Sequence, residues 1–161
     1  MDGRKPARIS VMNARLKAEG VREKIKTGYI IGADTVVLLD KKVIGKPRNS
    51  VHAKRMLKSM SGKAIYVYTG LCVIDAKTGK MSTACECSEV NVKKIKPADA
   101  ARYFKLLGPY DKAGGFSIEG AGSFIFDDIK GSYFNVLGLP MAKLQEVFKD
   151  IGVDILKFVR T

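Results

Sequence analysis

Apolar residues recur along this chain with two different periods, and the segments that they define predict a mixture of helices and strands. Over residues 9–26 they return at near-helical spacing with arginine and lysine between them, which predicts an amphipathic helix. Ser10 stands where a capping residue is expected, and Gly28 follows the helix. Three further helices are predicted to begin near Asn49 or Ser50, at Pro97 and at Pro140.

Runs of β-branched and aromatic residues define the predicted strands. Residues 29–39 form an apolar run that predicts a buried strand, and Val43 and Ile44 return from it across a polar turn. Residues 65–74 predict a second long strand, and residues 81–95 predict its return. A last hairpin is predicted from residues 123–129 and 133–137.

Composition narrows the class of protein. The chain has 161 residues, enough for one domain with a real core, and no apolar run approaches the roughly 20 residues that span a membrane. The first residues carry no apolar signal segment, so we expect a cytoplasmic protein. The net charge of +13 favours polyanionic partners, among them nucleotides and nucleic acids. Since the lysines are spread and tryptophan is absent, a nucleic-acid-binding module is the least favoured hypothesis, and no stable nucleic-acid partner is expected.

The three cysteines and the single histidine argue against a metal centre built from such residues. Cys85 and Cys87 are two apart, which places both on one face of a strand. Neighbours of that kind cannot form an ordinary disulfide, and their spacing is not that of zinc ligands. We expect most of the cysteines to be small core residues, and we expect His52 at the surface.

The strongest chemical signal is Asp34, a carboxylate inside the apolar run 29–39. Because a bare buried charge is costly, Asp34 should have a cation partner or open onto a cleft. The small residues Gly32 and Ala33 would let a bulky group approach the backbone. Lys46 follows in a Gly-Lys-Pro turn, and a metal-binding carboxylate near a lysine indicates phosphate chemistry. The alternative is an aspartate satisfied by backbone donors at the end of a strand.

A glycine-rich segment at residues 109–122 is the second chemical signal. It has four glycines within nine residues, with Asp111, Lys112 and Glu119 among them. Glycine-rich backbone permits close approach of a ligand, and its N–H groups can cradle an anion. The segment lacks the established phosphate-loop pattern, and the alternative is a flexible surface loop.

Six motifs in this sequence resemble, in order and spacing, those of the Maf family of nucleoside triphosphate pyrophosphatases. That family is structurally related to the inosine triphosphate pyrophosphatases. The resemblance covers about residues 8–152, nearly the whole chain. The motifs are IGADTVV at 31–37, GKP at 45–47, MSG at 60–62, TG at 69–70, DKAGGF at 111–116 and GSYFNVLGLP at 131–140.

The resemblance implies a fold and a reaction. The expected fold is α/β, with a long twisted mixed sheet flanked by helices and two lobes around a cleft, in one domain over residues 1–161. The implied reaction is hydrolysis of a nucleoside triphosphate to the monophosphate and pyrophosphate with a divalent metal cation, Mg²⁺ or Mn²⁺. The resemblance is compatible with a homodimer. It implies no membrane association.

The same resemblance carries roles to individual residues. Asp34 matches the catalytic aspartate, which would hold the metal or act as base for the attacking water. Thr35 matches a position tied to base selectivity, and Lys46 and Lys112 match lysines placed to pair with phosphate oxygens. Glu119 falls where pyrimidine-preferring members carry Gln and a 7-methylguanosine-preferring branch carries Glu. Asp34 and Thr35 resemble the pyrimidine branch, so the base preference stays open between dTTP or UTP and a modified nucleotide.

The resemblance departs from the family at the N-terminus. Family members begin with a strand and a Ser-x-Ser-Pro-Arg-Arg loop that resembles part of the phosphate site, and nothing before Ile9 matches them. The expectation is an N-terminally shortened domain, or a start codon assigned too late, with an exposed edge or an uncovered core face. Because cationic contacts to the triphosphate would be lost, a nucleotide-binding regulatory protein with little or no catalysis is the alternative function.

Overall fold

Helices are interspersed with single strands and pairs of strands along the chain. The computed structural model describes residues 4–106 and 113–159. Short 3₁₀ turns lie at Pro97–Asp99, Ala113–Gly115, Gly120–Ile125 and Ile155–Phe158. The helices and strands are α1 (Arg4–Arg22), β1 (Tyr29–Leu39), β2 (Lys42–Ile44), α2 (Ser50–Met60), β3 (Ala64–Asp75), β4 (Met81–Val92), α3 (Ala100–Leu106), β5 (Phe126–Lys130), α4 (Tyr133–Leu137) and α5 (Met141–Asp150).

The five strands form one sheet in the order β2-β1-β3-β4-β5. Its centre is a long ladder in which Tyr29 of β1 pairs with Asp75 of β3 and the register continues to Leu38 opposite Tyr66. The α/β class and the flanking helices are therefore confirmed. Every pairing between the described strands is antiparallel, so the mixed sheet that was predicted is not found among them. The hairpins β1–β2 and β3–β4 can pair only in this way because their connections are short, whereas β1–β3 and β4–β5 are antiparallel across longer connections.

Helix α1 lies directly on one face of the sheet because two glycines leave room for its backbone. A Cβ atom at Gly32 would be 2.1 Å from the carbonyl oxygen of Ala14, and one at Gly70 would be 2.3 Å from the carbonyl carbon of Ser10. The residues of α1 that face the sheet are themselves small: Ser10, Ala14 and Ala18 are buried at helical spacing. Backbone contact of this kind fixes where α1 sits on the sheet.

The start of α1 differs from the prediction. The helix begins at Arg4, and Ser10 is an interior residue whose hydroxyl donates to the carbonyl of Ala7 at 2.9 Å. The apolar pattern underestimated the length of the helix because its first turn carries mostly charged and small residues. The prediction that Ser10 caps the helix is wrong.

The opposite face of the sheet carries most of the core. In α2, Asn49 is confirmed as the cap, since its side chain accepts a bond of 2.9 Å from the N–H of His52. His52 is half-buried rather than fully at the surface.

The predicted inward face of α5 is also confirmed. Its buried residues and their sheet partners are Leu144, Val147, Phe148, Ile151, Leu71 and Val73.

The predicted second hairpin is wrong, because residues 133–137 form the short helix α4. Ser132 caps this helix by accepting from the N–H of Asn135 at 3.1 Å. Gly138 then ends it in the left-handed conformation, with φ of 101°. A five-residue apolar run is too short to show whether its period is that of a strand or that of a helix. The caps at Ser132 and Gly138 make this segment helical.

The cysteines are only partly core residues. The register places Cys85 opposite Gly70 and Cys87 opposite Tyr68, so the two lie on one face of β4 as predicted. Cys72 is buried, Cys85 is half-buried and Cys87 is exposed. The prediction of a small core residue therefore holds for Cys72 and is wrong for Cys87. In the described part of the chain no helix is long and apolar enough to cross a membrane.

Candidate active site

A cavity of about 270 Å³ lies where β1 meets the loop after β2, the glycine-rich segment and α4. β2 pairs only with the end of β1, from Val37 to Leu39, so among the described strands the earlier part of β1 is paired on one side only. The side chains of Asp34 and Thr35 can therefore reach the cavity at the sheet edge. The lining residues are Lys17, Asp34, Thr35, Val37, Lys46, Val67, Phe116, Ser117, Ile118, Val136 and Leu137.

Asp34 is held by two side chains of α1. Lys17 Nζ donates to Asp34 Oδ1 at 2.6 Å, and Asn13 Nδ2 donates to Asp34 Oδ2 at 2.9 Å. Lys17 also donates to the carbonyl of Ala33 at 3.0 Å, which ties α1 to the strand beside the carboxylate. The Asp34 side chain is 17% exposed, so it keeps some access from the cavity. Both expectations for this carboxylate, a cation partner and a cleft, are confirmed.

Lys17 and Asn13 are site residues that sequence reasoning missed. They lie four residues apart on α1, so both side chains point to the same side of the helix. Because Gly32 admits the backbone of α1 onto the sheet, that side of the helix meets the carboxylate of Asp34. An Asn and a Lys at this spacing are also common on a solvated helix face. Only the close approach of α1 to β1 distinguishes a pair of site residues from a pair on a solvated helix face.

Thr35 belongs to a network of buried polar groups that runs from the cavity to α4. Its Oγ1 lies 3.0 Å from Oγ1 of Thr69, which in turn donates to the backbone carbonyl of Asn135 at 2.9 Å. The side-chain amide of Asn135 donates to the carbonyl of Val67 and to Oγ of Ser88, both at 2.9 Å. Thr69, Ser88 and Asn135 are all fully buried. Such a network favours one geometry because a bond broken in a buried site is not replaced by a bond to bulk water; within the described residues, Asn135 Oδ1 is a buried side-chain oxygen without a partner.

The Gly-Lys-Pro turn at residues 45–47 and the glycine-rich segment meet at this cavity. The N–H of Gly114 donates to the carbonyl of Gly45 at 3.1 Å, immediately beside Lys46. Gly115 has φ of +73°, and a Cβ there would lie 3.0 Å from Cγ of Pro47, so a side chain at this position would be strained and crowded. The glycine-rich segment thus supports the Gly-Lys-Pro turn, which places Lys46 at the cavity.

Of the two remaining predicted residues, only Glu119 is described by the structure, and it is not part of the cavity lining. Lys112 and Asp111 lie outside the described residues. Glu119 is exposed and lies just beyond the lining, where its N–H donates to Oγ of Ser117 at 3.3 Å. Ser117 itself lines the cavity. The structure therefore assembles Asp34, Thr35 and Lys46 at one place and leaves Glu119 at its margin.

The residues fit a divalent metal in one way only. Within residues 4–106 and 113–159, no group of three His, Cys, Asp or Glu side chains is arranged to hold a metal ion. Magnesium in nucleotide enzymes is typically held by one or two carboxylates together with substrate phosphates. Each oxygen of Asp34 accepts one hydrogen bond from a side chain of α1 and has a second lone pair. Asp34 can thus ligate a metal carried by a triphosphate, whereas the described residues form no metal cage of their own.

The fold and the cavity together define a class of protein. A helix-flanked sheet whose edge cavity combines one carboxylate with two lysines is suited to α/β proteins that act on phosphorylated small molecules.

Comparison with known proteins narrows the class. The family model described as Maf-like protein matches residues 2–151. A dTTP/UTP pyrophosphatase of Clostridium novyi is 40% identical over 143 residues, which is 88% of this chain and 75% of that protein. The dTTP/UTP pyrophosphatases of Desulforamulus reducens and Methanococcoides burtonii are 42% and 37% identical, over 89% and 91% of this chain and 75% of each relative. The chain therefore belongs to the Maf family.

Proposed function

We propose that this protein is a nucleoside triphosphate pyrophosphatase that hydrolyses dTTP or UTP to the monophosphate and pyrophosphate. The observation that carries the proposal is the placement of Asp34 beside Lys17 and across the same cavity from Lys46. This arrangement offers one base and two cations, which are the groups that attack of water on a polyphosphate needs. The names of the relatives support the pyrimidine nucleotide as substrate.

In the proposed reaction water attacks the α-phosphorus and the bond from that phosphorus to the bridging oxygen of the β-phosphate breaks. Pyrophosphate leaves with that oxygen. Asp34 accepts the proton of the attacking water, while Lys17 and Asn13 hold the carboxylate in one orientation. Lys46, and Lys112 by its place in the motif, pair with phosphate oxygens and stabilise the negative charge of the leaving group.

A divalent metal completes the proposal. When it is bound with the triphosphate and ligated by Asp34, it would neutralise phosphate charge and lower the pKa of a coordinated water. Mg²⁺ and Mn²⁺ both suit a site made of carboxylate and phosphate oxygens. Glu119 lies outside the cavity lining, so we give it no part in excluding pyrimidine bases.

The test is pyrophosphate release from dTTP, UTP, CTP, GTP and 7-methyl-GTP with Mn²⁺ or Mg²⁺. We expect turnover of dTTP and UTP by the parent, and a loss of about 10²–10⁴-fold in Asp34→Asn, the usual size of a general-base contribution. Asp127→Asn is the matched control, because Asp127 is an exposed aspartate of β5. Saturable nucleotide binding without turnover would support the regulatory alternative instead. Equal turnover by Asp34→Asn would contradict the role of this carboxylate.

A further inference from the structure

The direction of one hydrogen bond in the Thr35 network follows from counting protons. A threonine hydroxyl has one proton to donate and two lone pairs with which to accept. The Oγ1 of Thr69 lies 2.9 Å from the backbone carbonyl of Asn135, and a carbonyl can only accept. The proton of Thr69 is therefore committed to Asn135. In the 3.0 Å contact between the two threonines, Thr69 must accept and Thr35 must donate.

The surroundings keep this direction fixed. Thr69 is fully buried, so bulk water does not compete for its hydroxyl. The backbone of Asn135 is held in place by the cap from Ser132, and its side chain is held by Val67 and Ser88. Reversing the relay would turn the Thr69 proton toward Thr35. The hydroxyl oxygen of Thr69 and the carbonyl oxygen of Asn135 would then face each other at 2.9 Å as two acceptors, and the carbonyl would keep only its bond of 3.0 Å from the N–H of Gly138. Such a loss is costly in a buried site.

Thr35 is the only member of this chain of hydroxyls that lines the cavity. Since its proton points to Thr69, the lone pairs of its Oγ1 are what it can offer to a ligand. Gly138 stands beside it with φ of +101°, and a Cβ there would come within 3.2 Å of the Thr35 hydroxyl oxygen. The absence of a side chain at Gly138 leaves that side of the hydroxyl open.

We propose that Thr69 and Asn135 are positioning residues that make Thr35 an acceptor, so that the site selects a nucleotide presenting a hydrogen-bond donor to it. This inference rests on the proposed function. The donor would be an N–H or O–H of the nucleoside, which is either the N3–H of uracil and thymine or the 3′-hydroxyl of the sugar. Cytosine has a bare N3 acceptor at the corresponding position, and two facing acceptors exclude each other. Selection by hydrogen-bond polarity of this kind can exceed what shape alone provides.

The experiment compares kcat/KM for two substrate pairs in which one member lacks the donor being tested; CTP lacks the N3–H of UTP and also carries an amino donor in place of the O4 acceptor. The first pair is UTP and CTP, which tests the base, and the second is dTTP and its 3′-deoxy-3′-fluoro analogue, which tests the sugar. The variants are Thr69→Val, which removes the relay at similar volume, and Thr69→Ser, which keeps the hydroxyl. The parent should prefer the donor-bearing member of at least one pair by tenfold or more. Thr69→Val should lower that preference about tenfold, because without the Thr69 hydroxyl the hydroxyl of Thr35 can rotate and donate to the ligand. Thr69→Ser should retain the preference within about threefold.

The outcomes separate the alternatives. If Thr69→Val folds and slows both members of each pair equally, the residue is merely structural and the inference is overturned. If Thr69→Val does not fold by circular dichroism, Thr69→Ala replaces it and the same ratios decide. The parent alone provides a second check, because equal kcat/KM within both pairs would also overturn the inference. If the parent releases no pyrophosphate from any triphosphate, the proposed function itself fails, and this result is distinct from a change in ratio.

Discussion

Replacing Gly70 by alanine should displace α1 from the sheet and thereby disturb the candidate site. Gly70 pairs directly across the sheet from Asp34, and its Cα faces the backbone of α1. A Cβ atom there would lie 2.3 Å from the carbonyl carbon of Ser10 and equally close to the nitrogen of Val11. These are backbone atoms of a helix, so no side-chain rotation can relieve the clash.

The expected cost follows from the nature of the clash. Overpacking a well-packed core typically costs about 1–3 kcal/mol, and rigid backbone on the other side puts Gly70→Ala at the upper end, near 3 kcal/mol. In a chain of this size about 1 kcal/mol shifts Tm by roughly 2–4 °C, so we expect a fall of about 6–12 °C. Moving α1 also moves Lys17 and Asn13 away from Asp34, and a misplacement of about 1 Å can cost about 10²-fold in kcat.

The assay is thermal and urea unfolding followed by circular dichroism, with pyrophosphate release measured on separate portions of the same folded samples. Gly20→Ala is the matched control, because a Cβ at this position of α1 would meet nothing within 4 Å. In the interior of a helix that change should stabilise by about 1 kcal/mol and leave activity unchanged. Gly70→Ala with the stability and activity of the parent would refute the proposed seating of α1 on the sheet.

Three further predictions concern the site, the thiols and pH. Lys17→Met should lower kcat about 10²-fold or more with little loss of secondary structure, because Asp34 loses its ammonium partner; unchanged kcat would show that the ion pair is dispensable. Cys87, the exposed thiol, should give the fast phase in a titration with a disulfide reagent, and Cys87→Ser should abolish that phase. The hydrogen bond from Lys130 lowers the pKa of Glu89 below its usual 4.5, so this group stabilises the fold above about pH 4.5 and loses that effect as pH falls through its lowered pKa. The difference in urea midpoint between the parent and Glu89→Gln should therefore shrink from pH 6 to pH 3, and a constant difference would contradict the assignment.

Much of the fold could be predicted from local patterns. The long strands, the cap at Asn49 and the buried stripe of α5 follow from period and capping chemistry, which neighbouring residues decide among themselves. The errors lie where the local signal is short or unusual. Residues 133–137 are too few to show a period, and the cap of Ser132 with the turn at Gly138 makes them a helix. The early start of α1 was not predicted because its first turn has few apolar residues.

The candidate site divides in the same way. An isolated carboxylate in an apolar strand, a lysine in a rigid turn and a glycine-rich segment are unusual enough in sequence that Asp34 and Lys46 could be identified before the fold was known. That they share one cavity, and that Gly114 bonds to the carbonyl of Gly45, depends on the packing of segments far apart in the chain. Family membership joins these observations, since the Maf-like motifs at 31–37, 45–47, 111–116 and 131–140 each contribute residues to the cavity lining.

The sequence by itself determined most of the helices and strands, where the buried carboxylate lies and which family the motifs indicate, because each of these depends on residue type and short-range spacing. Only the tertiary structure decided what Asp34 and Thr35 contact. Two glycines on neighbouring strands let α1 reach the sheet and bring Lys17 to the carboxylate. A buried carbonyl on α4 then sets the direction in which the hydroxyl of Thr35 donates. Contacts of this kind join residues distant in sequence, and no local pattern records them.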